Sequence, residues 1–213
     1  MTPPLEDRLT ALLALRGLQP LGAFAPTDDD DLSGIKSVVM IAPAPDFWTQ
    51  FTASHEWQGG LPDPMDRWSQ RVIGRLALEL DAKAYFPFTG PPYRPFYSWA
   101  QRAGQSYASP VTLLISAAMG LDTSFRGALG LRETVDFGSR VTPCETCEAP
   151  CKTACPADAL TTEGYDVPKC KAYLDHHPDS PCRTQGCAVR RACPAGPGQP
   201  VEQALYHLDQ FRS

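Results

Sequence analysis

Cysteine is missing from the first 143 residues of this 213-residue chain, and then eight occur between Cys144 and Cys193. Basic residues are in deficit, 19 Lys and Arg against 24 Asp and Glu, which leaves a net charge of −5. That balance, with the arginines scattered, argues against a nucleic-acid-binding protein. Long apolar runs are missing too. The run from Leu9 to Leu18 is broken by Arg16 and Gly17, and nothing approaches the ~20 residues of a membrane-spanning helix. The start, Met-Thr-Pro-Pro-Leu-Glu-Asp-Arg, has neither the basic opening nor the apolar stretch of a signal peptide. A cytoplasmic protein with no membrane or nucleic-acid partner is expected. In that compartment free thiols favour metal ligation over disulfides.

What is present is a dense cysteine constellation: Cys144-x2-Cys147-x3-Cys151-x3-Cys155-Pro156, then Cys170, then Cys182-x4-Cys187-x5-Cys193-Pro194. Eight thiolates are the number needed for two 4Fe–4S clusters, and a Cys-Pro pair closes each half as in bacterial two-cluster ferredoxins. A tight loop supplies three ligands of a cubane and a distant cysteine the fourth. By that crossover Cys144, Cys147, Cys151 and Cys193 are expected on one cluster, and Cys155, Cys170, Cys182 and Cys187 on the other. Zinc fits less well, because two zinc sites would show well-separated pairs rather than four cysteines within twelve residues. Both halves depart from the usual Cys-x2-Cys-x2-Cys-x3-Cys-Pro spacing. One residue is added before Cys151 and the second half is stretched, which leaves the division between clusters open.

About 140 residues precede the first cysteine, enough for a core of their own. Helical spacing predicts helices over 5–18, 66–80 (with Asp66 as N-cap), 95–103 and 201–211. Strands are expected at 38–42, 84–88, 111–115 and 125–131. The acidic run Asp28–Asp31 reads as a solvated loop. Together these give an α/β (α+β) domain over 1–140, with a mixed sheet flanked by helices, followed by a small cluster-binding domain over 141–213.

Pro168-Lys169-Cys170-Lys171-Ala172-Tyr173-Leu174, set between the two Cys-Pro motifs, resembles the linker cysteine of epoxyqueuosine reductase. In the middle of the chain, Ala100–Gly104, the 111–115 stretch and Phe125–Leu129 resemble the same region of that reductase. Asp63-Pro64-Met65-Asp66, the helix after it and 125–131 are similar to the cobalamin-processing (CblC-type) proteins. With the reductive dehalogenases these families form a corrinoid-handling group. The resemblance implies a nitroreductase-like scaffold, a C-terminal ferredoxin-like domain and a cobalamin (corrinoid) cofactor in the N-terminal domain. It departs from the reductase at Thr89, which stands where that family has a proton-donating aspartate, and a hydroxyl cannot replace a carboxylic acid there. Nor is there an Asp-x-His-x-x-Gly motif for an axial histidine. His176 and His177 read as solvated, or packed beside the cluster loops.

Tyr85, Phe86, Phe88, Tyr93, Phe96, Tyr97, Trp99 and Tyr107 read first as core, and second as the lining of a planar-cofactor pocket. Tyr93, Arg102, Tyr107 and Arg126 are the pocket candidates. The functional expectation is an iron–sulfur oxidoreductase that takes electrons from a ferredoxin or flavodoxin and delivers them to a corrinoid. The alternative is a two-cluster electron carrier whose N-terminal domain docks a partner and binds no cofactor. An iron–sulfur sensor is a third reading, without a DNA-binding element to support it.

Overall fold

The computed structural model describes residues 3–212; the Met1-Thr2 start lies outside them. The chain forms two compact units. The first takes the chain up to Gln105 together with Ser124–Arg140, and the second takes Ser106–Thr123 and everything from Val141 onward. The stretch Ser106–Thr123, counted with the N-terminal domain on sequence grounds, therefore packs with the cysteines.

The first unit begins with α1 (Leu5–Ala14), β1 (Leu18–Phe24), β2 (Ser37–Pro43), α2 (Phe47–Thr52), α3 (His55–Gln58), α4 (Pro64–Glu79), β3 (Lys83–Tyr85) and α5 (Phe96–Arg102). The chain then leaves for β4 (Tyr107–Ala108) and β5 (Leu114–Ile115) of the second unit, and returns as β6 (Gly127–Leu131). The sheet order is β1-β2-β6-β3, and every neighbouring pair is antiparallel. This corrects the expected mixed sheet. The connection from β2 through α4 to β3 does set two strands parallel, but β6 lies between them and turns each pairing antiparallel. The unit is thus α+β.

β2 is buried along its whole length, as its unbroken Val38–Ala42 run requires of a central strand. Leu9 and Leu13 of α1, Phe47 and Phe51 of α2, and Trp68, Ile73 and Leu76 of α4 are buried with it. Phe47 meets the Trp68 ring edge-on at 5.2 Å, a favoured aromatic geometry. α4 starts before Asp66: Asp63 is the N-cap residue and Pro64 opens the first turn, where its fixed φ and missing N–H cost nothing.

Two further expectations change. α1 stops at Ala14 rather than continuing to Leu18, because Gly17 at φ 66° turns the chain into β1. β1 was hidden by Pro20 and Gly22. It is an edge strand with a register shift between Pro20 and Ala23, and edges tolerate both features. Gly22 lies at φ 89°, and a Cβ there would stand 2.2 Å from the Ala103 carbonyl oxygen. The acidic run is also more than a solvated loop. Asp28–Asp30 is a short 3-10 turn in which Asp28 and Asp29 are exposed and Asp30 is buried. Asp30 accepts two 2.8 Å hydrogen bonds from the Arg102 guanidinium, one of 2.8 Å from Trp99 Nε1 and one of 2.7 Å from the Thr27 N–H. These ties anchor α5 to the turn after β1.

The second unit adds two hairpins, β4–β5 and β7 (Leu160–Thr161) with β8 (Gly164–Tyr165). It also holds α6 (Val167–His176), α7 (Pro181–Thr184), α8 (Ala188–Arg191) and α9 (Val201–Arg212). The expected strand 111–115 shrinks to its last two residues. Thr112 sits at φ 64° and its N–H bonds the Ser109 carbonyl at 2.9 Å, so the chain turns there. Val111, Ile115, Leu121, Cys151, Leu160 and Val189 form this unit's core. Among the described residues no helix is long and apolar enough to cross a membrane.

Glu56, 3% exposed at its side chain, accepts from Arg71 Nη2 at 2.9 Å and from Arg71 Nε. The paired guanidinium holds the Glu56 carboxyl down from 4.5 to about 2. A carboxylate with a depressed folded-state pKa stabilises the fold above its unfolded value, and that contribution disappears as pH falls through the folded value. Glu56→Gln should therefore melt below wild type at pH 6–7, and the gap should close between pH 4.5 and 2 in a series of thermal melts. Gly22→Ala should cost about 1–3 kcal/mol in denaturant titration, because φ is unsuited to alanine and the new methyl meets backbone.

Candidate metal centre

The first three cysteines lie on a loop shaped by local turns. The Cys147 N–H bonds the Cys144 carbonyl at 3.3 Å. Ala149 adopts φ 55° and starts a 3-10 turn, Pro150–Lys152, that carries the buried Cys151. The residue added to the usual spacing is absorbed here, since the left-handed Ala149 folds the longer linker back. From that position the Ala149 N–H points at Cys147 Sγ, 3.4 Å away.

Cys144, Cys147 and Cys151 line one cavity together with Cys193, some forty residues later in the chain. Its other walls are largely apolar, including Ile115, Leu121, Pro143 and Pro194. Cys193 is brought in through a close backbone crossing. A Cβ on Gly120 (φ 56°) would stand 1.9 Å from the Ala195 carbonyl oxygen and 3.3 Å from Cys193 Sγ. Arg190 Nη1 donates to the Leu121 carbonyl, and Gln199 Nε2 to Asp122 Oδ1 at 3.0 Å, so the Leu121–Asp122 turn is tied to the C-terminal segment.

The remaining four cysteines come from different elements. Cys155 follows the first loop and accepts the Ala159 N–H at 3.2 Å. Cys170 lies in the first turn of α6, its N–H on the Asp166 carbonyl at 3.1 Å. Cys182 sits at the start of α7, where its N–H bonds Ser180 Oγ at 3.2 Å, and Cys187 precedes α8.

Electrostatics divides the eight along the same line. Burial pushes the Cys144 and Cys151 thiols up, and the neighbours that push them further are Cys147 and Cys193, with Cys144 also acting on Cys151. Burial likewise raises Cys170 and Cys187, and there the additional neighbours are Cys187, Cys155 and Cys182 for the former and Cys182 for the latter. The cysteines that shift one another lie within one set of four in each case. All eight are free thiols. Four thiolates placed together with little water repel one another unless a cationic centre neutralises them, so this donor set fits an iron–sulfur cluster.

Among the described residues no group of three or more His, Cys, Asp or Glu side chains is placed to hold a metal ion. A single ion needs donors that converge on one point. A cubane takes one thiolate at each of four irons, so its sulfurs stand around a cavity.

The pocket candidates are dispersed. Tyr93 is exposed on a loop. Arg102 is committed to Asp30 and lies 4.3 Å from the Phe24 ring centroid. Arg126, whose N–H bonds the Ile41 carbonyl at 2.9 Å, opposes with its charge the rise that burial imposes on Asp66. These three belong to the first unit, whereas Tyr107 is part of β4 and packs on the core of the second. Trp99 gathers Phe24, Tyr85 and Phe96 around itself with ring centroids 5.4–5.8 Å away, which is the core reading of those aromatics. Thr89 donates to the Phe86 carbonyl at 3.1 Å on an exposed turn. His176 and His177 are exposed, with their Nδ1 atoms on the carbonyls of Ala172 and Tyr173. Sequence reasoning passed over Arg190 and read Gly120 only as part of a turn, since neither belongs to a spacing motif.

Cys151→Ala should leave the second set intact. After anaerobic reconstitution it should hold half the iron and sulfide of wild type and keep one reducible EPR signal. Gly120→Ala, which drives a methyl into the Ala195 carbonyl beside Cys193, should show the same partial loss by iron assay. No protein-family model matches this chain, and no curated protein matches it.

Proposed function

We propose that this chain is a cytoplasmic iron–sulfur redox protein with a ferredoxin-like cluster domain, its eight cysteines holding two 4Fe–4S clusters. The carrying observation is the cavity that Cys144, Cys147, Cys151 and Cys193 line together; in this reading the remaining four, Cys155, Cys170, Cys182 and Cys187, hold the second cluster. Each such cluster, when bound, accepts and releases one electron at a time. The protein's own part is to hold the sulfurs, to supply N–H donors to them from Ala149 and Ala159, and to keep water from the first set with apolar walls. Fixed donors around a preformed cavity lower the reorganisation that accompanies a change of charge.

The electron source in this reading is a ferredoxin or flavodoxin. The acceptor is a cofactor bound by the first unit, and the likeness to corrinoid-handling reductases makes that cofactor a corrinoid. A specific observation favours the second reading, an electron carrier whose first unit docks a partner protein. Of the four pocket candidates, Arg102 is already engaged by Asp30 and Tyr107 belongs to the second unit.

Anaerobic reconstitution with iron and sulfide should give about eight irons per chain and a broad band near 400 nm (about the usual position for such clusters). Absence of both sinks the redox reading. Titration of the reconstituted protein with cob(II)alamin separates the two termini. A saturable change in the corrin spectrum supports the corrinoid, and an unchanged spectrum with no co-elution leaves the electron carrier.

A further inference from the structure

Cys193 is the one member of its set that the first loop does not supply, and the chain on either side of it grips a single turn of the second unit. That turn, 119–122, is stiff. The Gly120 N–H bonds the Ser116 carbonyl at 2.9 Å and the Met119 N–H bonds Ser116 Oγ at 3.2 Å. Thr123 Oγ1 donates to the Gly120 carbonyl at 2.6 Å, which leaves the Ser116 hydroxyl, 2.9 Å away, to donate to Thr123. Both hydroxyls are on buried residues, where such a network holds its shape.

Before Cys193, Arg190 Nη1 donates to the Leu121 carbonyl; after it, Gln199 Nε2 donates to Asp122 Oδ1 at 3.0 Å. Between these ties the two backbones cross with no side chain separating them. A Cβ on Gly196 would stand 2.5 Å from the Met119 carbonyl carbon and 2.6 Å from the Gly120 nitrogen. The crossing segment, Pro-Ala-Gly-Pro-Gly-Gln-Pro over 194–200, forms no helix or strand. Its three prolines restrict it, and Gly196 and Gly198, at φ 76° and 73°, turn it. Gly196 follows Cys193 by three residues, so the sulfur leaves the cavity only if the crossing lifts. Leu121, on the gripped turn, lines that cavity too.

We propose that residues 194–200 are a latch: the crossing of Gly196 over Gly120 keeps Cys193 on its iron, and its opening sets how fast the centre held by Cys144, Cys147, Cys151 and Cys193 gives up that iron on oxidation. This rests on the two-cluster reading above. Ferricyanide, a one-electron oxidant, takes an electron from the four-iron core. The core then parts into ferrous iron and a three-iron core held by the three cysteines of the first loop, and the freed Cys193 thiolate takes up a proton.

The test uses the full chain, reconstituted anaerobically, assayed for iron and mixed with ferricyanide and a ferrous chelator. Released iron is followed by absorbance and the three-iron core by EPR. Gly196→Ala should release iron about tenfold faster than wild type, because the new methyl meets backbone. Gly198→Ala puts the same residue at the same kind of φ in the same segment, but its methyl meets nothing within 4 Å; its rate should stay within about twofold of wild type. Gln199→Ala removes one tie without altering the crossing residues and should release iron about threefold faster. It decides the matter even if Gly196→Ala loads poorly. In a Cys151→Ala background, which keeps only the set with Cys155, Gly196→Ala should make no difference. Rates in loaded Gly196→Ala and Gln199→Ala equal to wild type overturn the latch while the two-cluster reading stands. So does an equal acceleration in Gly198→Ala, or one that persists in the Cys151→Ala background. Failure of wild type to take up iron and sulfide overturns both.

Discussion

The crowding of eight partly buried thiols is the constraint on which the second unit depends. Eight sulfurs are gathered into two groups within a unit that has a modest apolar core, and burial makes each group costlier to ionise. Without a positive centre, burial keeps the Cys144, Cys151, Cys170 and Cys187 thiols protonated. With one, ligation and folding become a single equilibrium. Cys151 shows the coupling directly, being at once a member of the unit's core and part of the wall of the cysteine-lined cavity. In the two-cluster reading proposed above, such a side chain ties metal binding to packing.

The first unit is stabilised differently. Its central strand is buried along its length, its helices cover the sheet with leucine and aromatic side chains, and its buried acids are answered by arginine. Asp30 and Glu56 are nearly inaccessible and each has a guanidinium partner. Such pairs are weak arguments for net stability, but losing one partner leaves a buried charge uncompensated. They give α5 and α4 their places relative to the loops they contact. They also occupy Arg102, a residue that its position near the aromatic segment offers for ligand binding.

The sequence was most legible where one physical signal dominated. The unbroken run Val38–Ala42 marked a central strand, and the apolar stripe of Trp68, Val72, Ile73 and Leu76 marked α4. The order of the two Cys-Pro motifs pointed to Cys193 as the distant partner of the first loop, and Cys193 does line one cavity with Cys144, Cys147 and Cys151. Other elements were illegible for equally physical reasons. β1 carries a proline, a left-handed glycine and a register shift, all permitted by its place at the sheet edge. Asp30 looks like Asp28 and Asp29 until Arg102, 72 residues away, is brought beside it. The antiparallel sheet depends on β6 entering between β2 and β3 after an excursion through the other unit, and local periodicity carries no trace of that.

The nesting of the two thiol sets has a consequence for how the protein is made. Cys155, Cys170, Cys182 and Cys187 all lie between the third and fourth members of the other set. During synthesis the inner group is complete once Cys187 has emerged, whereas the outer group waits for Cys193 and for the crossing of Ala195 over Gly120. The outer group closes a loop of some forty residues between Cys151 and Cys193, and its closure entropy is lowered once the intervening chain is already held by the inner group. In the two-cluster reading proposed above, assembly therefore has a direction written into the order of the cysteines: inside first, outside last.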